Sequence, residues 1–350
     1  MYNNRNLITA SEQEVTRKDA SGVFDLQTQA VSQNEKDWPG SETASIIYDI
    51  TIGVDHLTIE VPSTGSVSYT IDWGDGTIES STSNSPSHTY SSTGSYKIKI
   101  FSTAVYRPYI NNNISIRDVV QIVEITENAN LGTNLTNAFN GLNKVHTFKC
   151  AFSATNGVTN FQNMFAACTV LAHIDLFDTS SGTNLAALFR NIRGGFFPAI
   201  NTSSATNIGS MYRETFTVVE LPSIDTSNVS GYSATWRTCN IKSFPSFYDF
   251  SSGTNFGEAW RGSSIFNFPA NMFDSTGTLP TNAFNNAFNG AKLTAQSIEN
   301  VLTSLDTNGA TGIQLHIGGG SNASYSTWSS AAQTALSNLQ SKSWTVTYNS

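Results

Sequence analysis

From about residue 130 onward the chain repeats one short pattern, and this repetition limits the possible folds more than any other feature. A Thr-Asn pair, or a small substitute for it, recurs at intervals of 26, 24, 23, 24, 24 and 27 residues. An aromatic residue follows each Asn position after five residues, or after six in the last copy. The aromatic residues are Phe139, Phe165, Phe189, Tyr212, Trp236, Trp260 and Phe288. Stacked copies of this length predict a solenoid with a repeat of about 24 residues over residues 133–290.

The aromatic residues are predicted to form a ladder through the core of this solenoid. A single repeat cannot bury its own ring, whereas stacked repeats can, and each buried ring contributes about 1.5–3 kcal/mol. An exposed stripe that stacks against sugar rings is the alternative. The residues directly before three of the aromatics, Met164, Leu188 and Met211, are also apolar. This pattern favours the core.

A second polar pattern is offset within each repeat. One acidic or amide residue recurs at Asp178, Asn201, Asp225, Asp249 and Asp274. Asp and Asn side chains that recur once per repeat are typical of turns, where they bond to nearby backbone amides. These residues are therefore predicted to be structural rather than catalytic.

The segment before the repeats has the pattern of short β-strands. Residues 67–73 and 96–100 alternate between apolar and polar side chains, and Gly and Pro separate the runs. Short strands at this spacing predict an antiparallel, immunoglobulin-like sandwich over residues 43–106. Residues 107–132 are then the junction to the solenoid.

The C-terminal segment, residues 291–350, predicts a βα unit. Residues 294–305 and 326–341 have apolar side chains at helical spacing, with Thr294 as the N-cap of the first helix. The predicted strands are residues 313–317 and 344–348. Because the last coil of a solenoid must be covered, this unit is predicted to be its cap. The complete fold is thus mainly β with short helices.

Residues 1–42 differ from the rest in composition. They contain four Lys or Arg and seven Asp or Glu residues, and too few apolar residues to offset the entropy of ordering the backbone. The segment is either a flexible tail or an arm that orders against a neighbouring subunit. Four clustered apolar residues favour an anchoring arm: Val23, Phe24, Leu26 and Trp38.

The overall composition excludes several classes of partner. The formal net charge of −8 argues against nucleic acid, which requires a basic surface. No run approaches the roughly 20 apolar residues that span a membrane, and the first residues lack the apolar centre of a secretory signal. Only 13% of residues are charged, so Ser, Thr and Asn must supply the polar surface, as in extracellular and virion proteins.

Residues that carry catalysis or bind metals elsewhere are scattered in this sequence. The five histidines have no H-x-x-x-H spacing, and Cys150, Cys168 and Cys239 form no C-x-x-C pair. Asp72 and Asp75 alone do not supply the six to eight oxygen ligands of a Ca²⁺ site. We therefore expect no catalytic, cofactor-binding or metal-binding residues, and predict that the protein is not an enzyme.

Two parts of the chain resemble known families. Trp73-Gly74-Asp75-Gly76-Thr77, His88-Thr89-Tyr90 and Gly94-Ser95-Tyr96 occur in the order found in PKD domains, which are immunoglobulin-like sandwiches. The repeats, with Met164-Phe165-Ala166-Ala167-Cys168 and Phe177-Asp178-Thr179-Ser180, are similar to BspA-like leucine-rich-repeat surface proteins. These resemblances imply a PKD-like domain followed by a leucine-rich-repeat-like solenoid.

The N-terminal pattern, residues 22–26 followed by Trp38-Pro39-Gly40, is similar to the leading segment of some marine bacteriophage virion proteins. This resemblance implies a virion structural protein, either a tail fibre or receptor-binding adhesin or a capsid decoration protein, that attaches to the host through the solenoid. The expected partners are other virion proteins, contacted by the arm, and a host-surface glycan or protein, in a homo-oligomeric or multicopy assembly. Two alternatives remain: a BspA-like adhesin of a bacterial cell surface and, less favoured, a polysaccharide-degrading solenoid enzyme.

Overall fold

The computed structural model describes residues 44–65, 67–194, 197–216 and 220–350. The predicted arm, residues 1–42, lies outside these ranges, together with its expected anchors Val23, Phe24, Leu26 and Trp38. Within the described ranges the chain is mainly β, with two α-helices near its C-terminal end. None of the helices in that part is long and apolar enough to cross a membrane.

The first eight strands form the module predicted before the repeats, although β8 lies just beyond its predicted end at residue 106. They are β1 (Ile46–Ile52), β2 (Thr58–Glu60), β3 (Ser63–Thr64), β4 (Tyr69–Asp72), β5 (Ile78–Ser81), β6 (Ser87–Thr89), β7 (Gly94–Phe101) and β8 (Arg107–Pro108). β1, β7, β4 and β5 pair in that order, all antiparallel, while β2 pairs with β6 and β3 pairs with β8. Apolar residues of β1 alternate with polar ones, so Ile46, Tyr48 and Ile50 point into the core.

The sheet of this module continues into the repeats. β9 (Val120–Ile125), which lies in the predicted junction, pairs antiparallel with β1. β10 (Thr147–Cys150) and β11 (His173–Ile174) come from the first two repeats and extend the sheet in parallel. The complete strand order is β11-β10-β9-β1-β7-β4-β5. Hydrogen bonding therefore runs without a gap across the boundary predicted at residue 106.

Each repeat of residues 133–290 forms one coil, and we call these residues the repeat stack. Isolated parallel bridges connect the successive Asn positions 134, 160, 184, 207, 231 and 255. After each of the first six Asn positions, the amides of the first, third, fifth and seventh residues donate to carbonyls of the next coil. In the first coil these donors are Leu135, Asn137, Phe139 and Gly141, at N···O distances of 2.8, 2.9, 3.0 and 2.8 Å. These peptide groups all point the same way along the stack.

The side chain of the recurring Asn explains why the pair repeats. Oδ1 of Asn134 accepts a hydrogen bond from the amide of Thr136, two residues later, at 2.9 Å. The same contact is made by Asn160, Asn184, Asn207 and Asn255. This arrangement is an Asx turn, and it satisfies an amide that does not donate to the next coil. Gly231, which has no side chain, is the exception.

Two positions in each coil have a left-handed backbone, the third and the seventh after the Asn position. The third positions are Asn137, Asn163, Ala187, Ser210, Ala234 and Glu258, with φ between 55° and 58°. The seventh positions are Gly141, Ala167, Asn191, Glu214, Thr238 and Gly262. Gly and Asn adopt this conformation readily, whereas other residues lose about 1–2 kcal/mol in it. The coil geometry therefore prevails over local preference at several positions.

Both ends of the repeat stack are covered. At the N-terminal end, the amides of residues 110–112 donate to carbonyls of the first coil, the shortest bond joining Asn112 N to Asn140 O at 2.7 Å. At the C-terminal end, the amide of Phe288 donates to His316. The junction thus acts as the first cap of the stack.

The second cap is the βα unit predicted over residues 291–350. It contains α1 (Ala295–Asn308), β12 (Gln314–His316), α2 (Ser330–Ser341) and β13 (Thr345–Thr347), and the two strands pair in parallel. Oγ1 of Thr294 accepts the amide of Ser297, as an N-cap does. α2 begins later than predicted, because Tyr325–Thr327 form a separate 3₁₀ turn.

Candidate attachment surface

The aromatic ladder lies in the interior of the repeat stack. All seven of its residues are only 0–1% exposed. The rings of Phe165 and Phe189 are 4° from parallel with centroids 6.2 Å apart, and those of Trp260 and Phe288 are 3° from parallel at 4.6 Å. These rings contribute packing energy and are not accessible to a sugar.

A second apolar column runs beside the ladder, and sequence reasoning missed it. Its members directly follow the Asn position: Leu135, Phe161, Leu185, Ile208, Tyr232 and Phe256, each 0% exposed. The rings of Tyr232 and Phe256 stack at 5.0 Å. The column escaped detection because Leu, Ile, Phe and Tyr alternate in it, although its constant offset from the Asn was a usable signal.

The acidic residues that recur once per repeat occupy turns. Oδ1 of Asp225 accepts the amide of Ser227 at 3.0 Å, and this bond lowers the pKa of Asp225. Equivalent contacts are made by Asp178, Asn201 and Asp249. Asp274 differs, since it accepts a hydrogen bond from Oγ of Ser304 in α1. Every member of the series thus has a structural contact.

A cluster of polar and aromatic side chains closes one end of the module before the repeats. The ring of His88 stacks on that of Trp73 at 4.9 Å, and its Nε2 lies 2.7 Å from Oδ2 of Asp75. The hydroxyl of Tyr90 donates to the carbonyl of Trp73. Burial alone would raise the pKa of Asp75, but hydrogen bonds from His88 and Thr77 outweigh it and lower the pKa.

Gly74 fixes the turn between Trp73 and Asp75. Its φ is +83°, and a Cβ at this position would lie 2.6 Å from the carbonyl oxygen of Lys97. Only glycine therefore fits there, and the sequence around it is that of a known family. Residues 55–101 form a PKD domain.

This assignment rests on a match between residues 55–101 and the model of the PKD domain family. The predicted PKD resemblance is therefore confirmed for these residues. No curated protein and no solved structure matches the chain. The predicted similarity of the repeats to BspA-like proteins, and of the N-terminal segment to phage virion proteins, stays a prediction.

The thiols of the chain are poorly placed for chemistry. Burial raises the pKa of both Cys150 and Cys168 to about 12, and it also raises the pKa of Cys239. Thiols with such pKa values are not ionised at neutral pH and are weak nucleophiles. Within the described ranges, which include the PKD domain, no group of three or more His, Cys, Asp or Glu side chains is placed to hold a metal ion.

A column of arginines follows the outer side of the repeat stack. They occupy the sixth position after the Asn in four successive coils: Arg190, Arg213, Arg237 and Arg261. Arg237 and Arg261 both contact Glu258, each with an N···O distance of 2.5 Å. Sequence reasoning missed this column, because it searched for catalytic spacings; an alignment of the repeats on their Asn would have revealed it.

A shallow groove of about 360 Å³ lies between the last coils of the stack and α1. It is lined largely by amide and hydroxyl side chains, among them Ser246, Asn267, Gln296 and Asn300. Nδ2 of Asn300 already donates to the carbonyl of Phe268 at 2.8 Å. The groove has no titratable side chain in its lining, so it offers hydrogen bonding but no acid–base chemistry.

Proposed function

We propose that the chain is an attachment protein of a bacteriophage virion, either a tail fibre or receptor-binding adhesin or a capsid decoration protein, and that it acts by binding rather than by catalysis. In this proposal the repeat stack is a leucine-rich-repeat-like solenoid whose outer face contacts the host. The observation that carries the proposal is the seven-stranded sheet that joins the PKD domain to the stack. A sheet that continues through both parts makes them one rigid body, suited to presenting a surface.

Rigidity supports a binding role for physical reasons. A surface that is already ordered loses little conformational entropy when a ligand binds, so more of the contact energy appears as affinity. The coils are held by backbone hydrogen bonds between neighbours and by Asx turns within each coil. The covered ends also prevent uncontrolled edge-to-edge association.

The N-terminal segment is the proposed anchor. Its apolar residues Val23, Phe24, Leu26 and Trp38 would dock against other virion proteins, while its charged residues remain in solvent. Many copies on one particle, or a homo-oligomer, would raise the apparent affinity for a host-surface glycan or protein by about 10²–10⁴-fold over a single contact. Weak individual binding is then sufficient.

An adhesin on a bacterial cell surface, of the BspA-like type, is the second candidate. It uses the same rigid body and the same outer face, and differs only in what holds the N-terminal segment. A polysaccharide-degrading solenoid enzyme is a less favoured third candidate, since the recurring acidic residues of the described repeats are engaged in structural contacts.

Particle incorporation tests the anchor. We expect a variant with Phe24→Ala, Leu26→Ala and Trp38→Ala to fold normally but to be absent from purified particles. The matched control replaces three other apolar residues of the same segment, Leu7→Ala, Val15→Ala and Val31→Ala, and should be incorporated. Equal incorporation of both variants would contradict the anchor assignment, and absence of the wild-type protein from purified particles would contradict the virion proposal.

Binding and chain length of host polysaccharide distinguish attachment from hydrolysis. The purified protein is incubated with host-surface polysaccharide, and both bound protein and polysaccharide size are measured. Attachment predicts binding with unchanged chain length. A shortened polysaccharide would indicate hydrolysis instead. If substitution of one Asp abolished this activity without unfolding the protein, the protein would be an enzyme.

A further inference from the structure

The fold aligns the arginines of the outer side into a continuous row. The row consists of one arginine from each of four neighbouring coils: Arg190, Arg213, Arg237 and Arg261. Backbone hydrogen bonds keep them side by side. The amides of Asn191, Glu214 and Thr238, each next to an arginine, donate to the carbonyl of the arginine in the following coil. Strand-like neighbours are about 4.8 Å apart, so positive charges recur at that interval. Together with Arg193, we call these residues the arginine row.

The arginine row carries surplus positive charge. Its five arginines face two carboxylates, Glu214 and Glu258, which leaves 5 − 2 = +3, whereas the whole chain has a net charge of −8. Among the described residues, neither Arg190 nor Arg193 makes an ion pair. The guanidinium of Arg193 lies 5.9 Å above the ring of Phe216 and donates to Asn191.

Such a row is unfavourable for the free protein. Like charges on directly opposed residues of neighbouring strands destabilise a sheet. The two glutamates pair with Arg213, Arg237 and Arg261, and they leave Arg190 and Arg193 without an ion pair among the described residues. The arginines are also partly exposed, with side-chain exposures of 28% for Arg213, 28% for Arg237 and 40% for Arg261. Their guanidinium groups therefore remain accessible to a ligand.

We propose that the arginine row binds an acidic polysaccharide that lies along the repeat stack. This inference rests on the attachment function proposed above and names its ligand class. Guanidinium groups pair with carboxylate, sulfate or phosphate oxygens through two parallel hydrogen bonds. Periodic acidic groups on an extended glycan match a periodic row of donors. Hydroxyl side chains of the same coils, such as Ser210 and Ser233, suit hydrogen bonding to sugar hydroxyls.

Charge and ring placement favour a glycan over nucleic acid. Proteins that bind single-stranded nucleic acid stack successive bases on exposed aromatic side chains. The ladder rings of this stack are buried, and the exposed ring of Phe216 beside the row already contacts the guanidinium of Arg193. The acidic balance of the chain opposes the broad phosphate contacts that a duplex requires. A narrow row of positive charge in an acidic protein suits a single acidic chain.

The test uses the full-length protein and three probes: polygalacturonate as a carboxylate polymer, dextran sulfate as a sulfate polymer and neutral dextran. The variant Arg190→Gln with Arg193→Gln removes two charges that make no ion pair among the described residues. The matched control, Lys144→Gln with Lys149→Gln, removes two exposed charges elsewhere. Equal melting temperatures establish that all three proteins are folded.

We expect the wild type to bind at least one acidic polymer and not dextran, with an affinity that falls as salt rises. The double arginine variant should bind about tenfold more weakly, and the lysine control within about twofold of wild type. Four results would overturn the proposal. Two are that the wild type binds neither acidic polymer, or that it binds dextran as tightly as the acidic polymers. The other two are that the arginine variant binds as tightly as the wild type, or that oligothymidylate displaces the bound polymer at a lower concentration than free polysaccharide does. If host-cell binding persists unchanged in the arginine variant, the attachment function stands and only this ligand assignment falls.

Discussion

The indole rings of Trp236 and Trp260 lie 5.3 Å apart and 12° from parallel in the centre of the repeat stack. Both residues are fully buried, and neither indole N–H has a hydrogen-bond partner. Unpaired buried donors oppose folding, so the packing of the large rings must outweigh that cost. Substitutions at these two residues can therefore separate the contribution of ring volume to stability from that of the unpaired N–H group.

We expect Trp260→Ala to lower the free energy of unfolding by about 3–5 kcal/mol, since it removes a large ring from a closed core. Trp260→Phe should cost clearly less, because it keeps a ring in the ladder and removes the unpaired N–H. Chemical denaturation measures both. Phe266→Ala, an exposed aromatic of the same coil, is the control and should change stability by less than about 1 kcal/mol. Equal losses for Trp260→Ala and the control would show that the ladder is not the core.

The contact between the first coil and its cap depends on Gly141. Its φ is +82°, and a Cβ there would lie 2.6 Å from Oδ1 of Asn112. Gly157 has a similar φ of +77°, but a Cβ added to it would meet no atom within 4 Å. Both alanine variants lose about 1–2 kcal/mol from backbone strain, and Gly141→Ala should lose about 1–3 kcal/mol more from crowding. Thermal unfolding of the two variants checks this difference. Equal losses of stability would mean that the close approach of Asn112 to Gly141 does not affect stability.

Thr238 is a β-branched residue with a φ of 56°, in the position where the next coil has Gly262. A left-handed backbone costs such a residue about 1–2 kcal/mol, while glycine adds about 0.5–1 kcal/mol of unfolded-state entropy. Thr238→Gly is therefore expected to stabilise the protein by about 0.5–1 kcal/mol in denaturation experiments. Thr133→Gly, at an exposed position without a positive φ, should destabilise it. The same sign for both substitutions would contradict the strain argument.

Asp75 should make the PKD domain sensitive to acid. Its pKa in the folded protein is lowered relative to about 3.9 in the unfolded chain. Its contribution to stability is therefore complete above about pH 4 and is lost as the pH falls through the folded-state pKa. Between neutral pH and about pH 3, Asp75→Asn should lose less in melting temperature than the wild type does. The exposed control Asp55→Asn should follow the wild type, and a wild-type response in Asp75→Asn would exclude this carboxylate as the cause.

The ladder and the PKD motif could be predicted because their signals are local. Aromatic residues at a fixed offset from an Asn are visible in the sequence, and Gly74 lies within a motif whose turn only glycine fits. The shared sheet could not be predicted. The β-branched residues among 120–125 favour a strand. Nothing in that segment, however, indicates that it pairs with β1, about 70 residues earlier in the chain.

The left-handed positions of the coils were also hidden. Asn137 and Gly141 suit a positive φ, but Ala187, Ala234 and Thr238 occupy equivalent positions without any local preference for it. At those positions, hydrogen bonds to neighbouring coils impose the backbone conformation. Such tertiary control leaves no trace in a single repeat, although alignment of all repeats would reveal the positions through their Gly and Asn members.

The repeated hydrogen-bond pattern of the repeat stack makes its internal interfaces alike. At each interface among the first six coils, four amides donate to the next coil and two amides, such as those of Thr159 and Asn160, donate back to the previous one. Duplication or loss of an interior repeat by recombination would therefore preserve this hydrogen-bond pattern. The length of the repeat stack can evolve in steps of about 4.8 Å, while the PKD domain and the C-terminal cap remain unchanged.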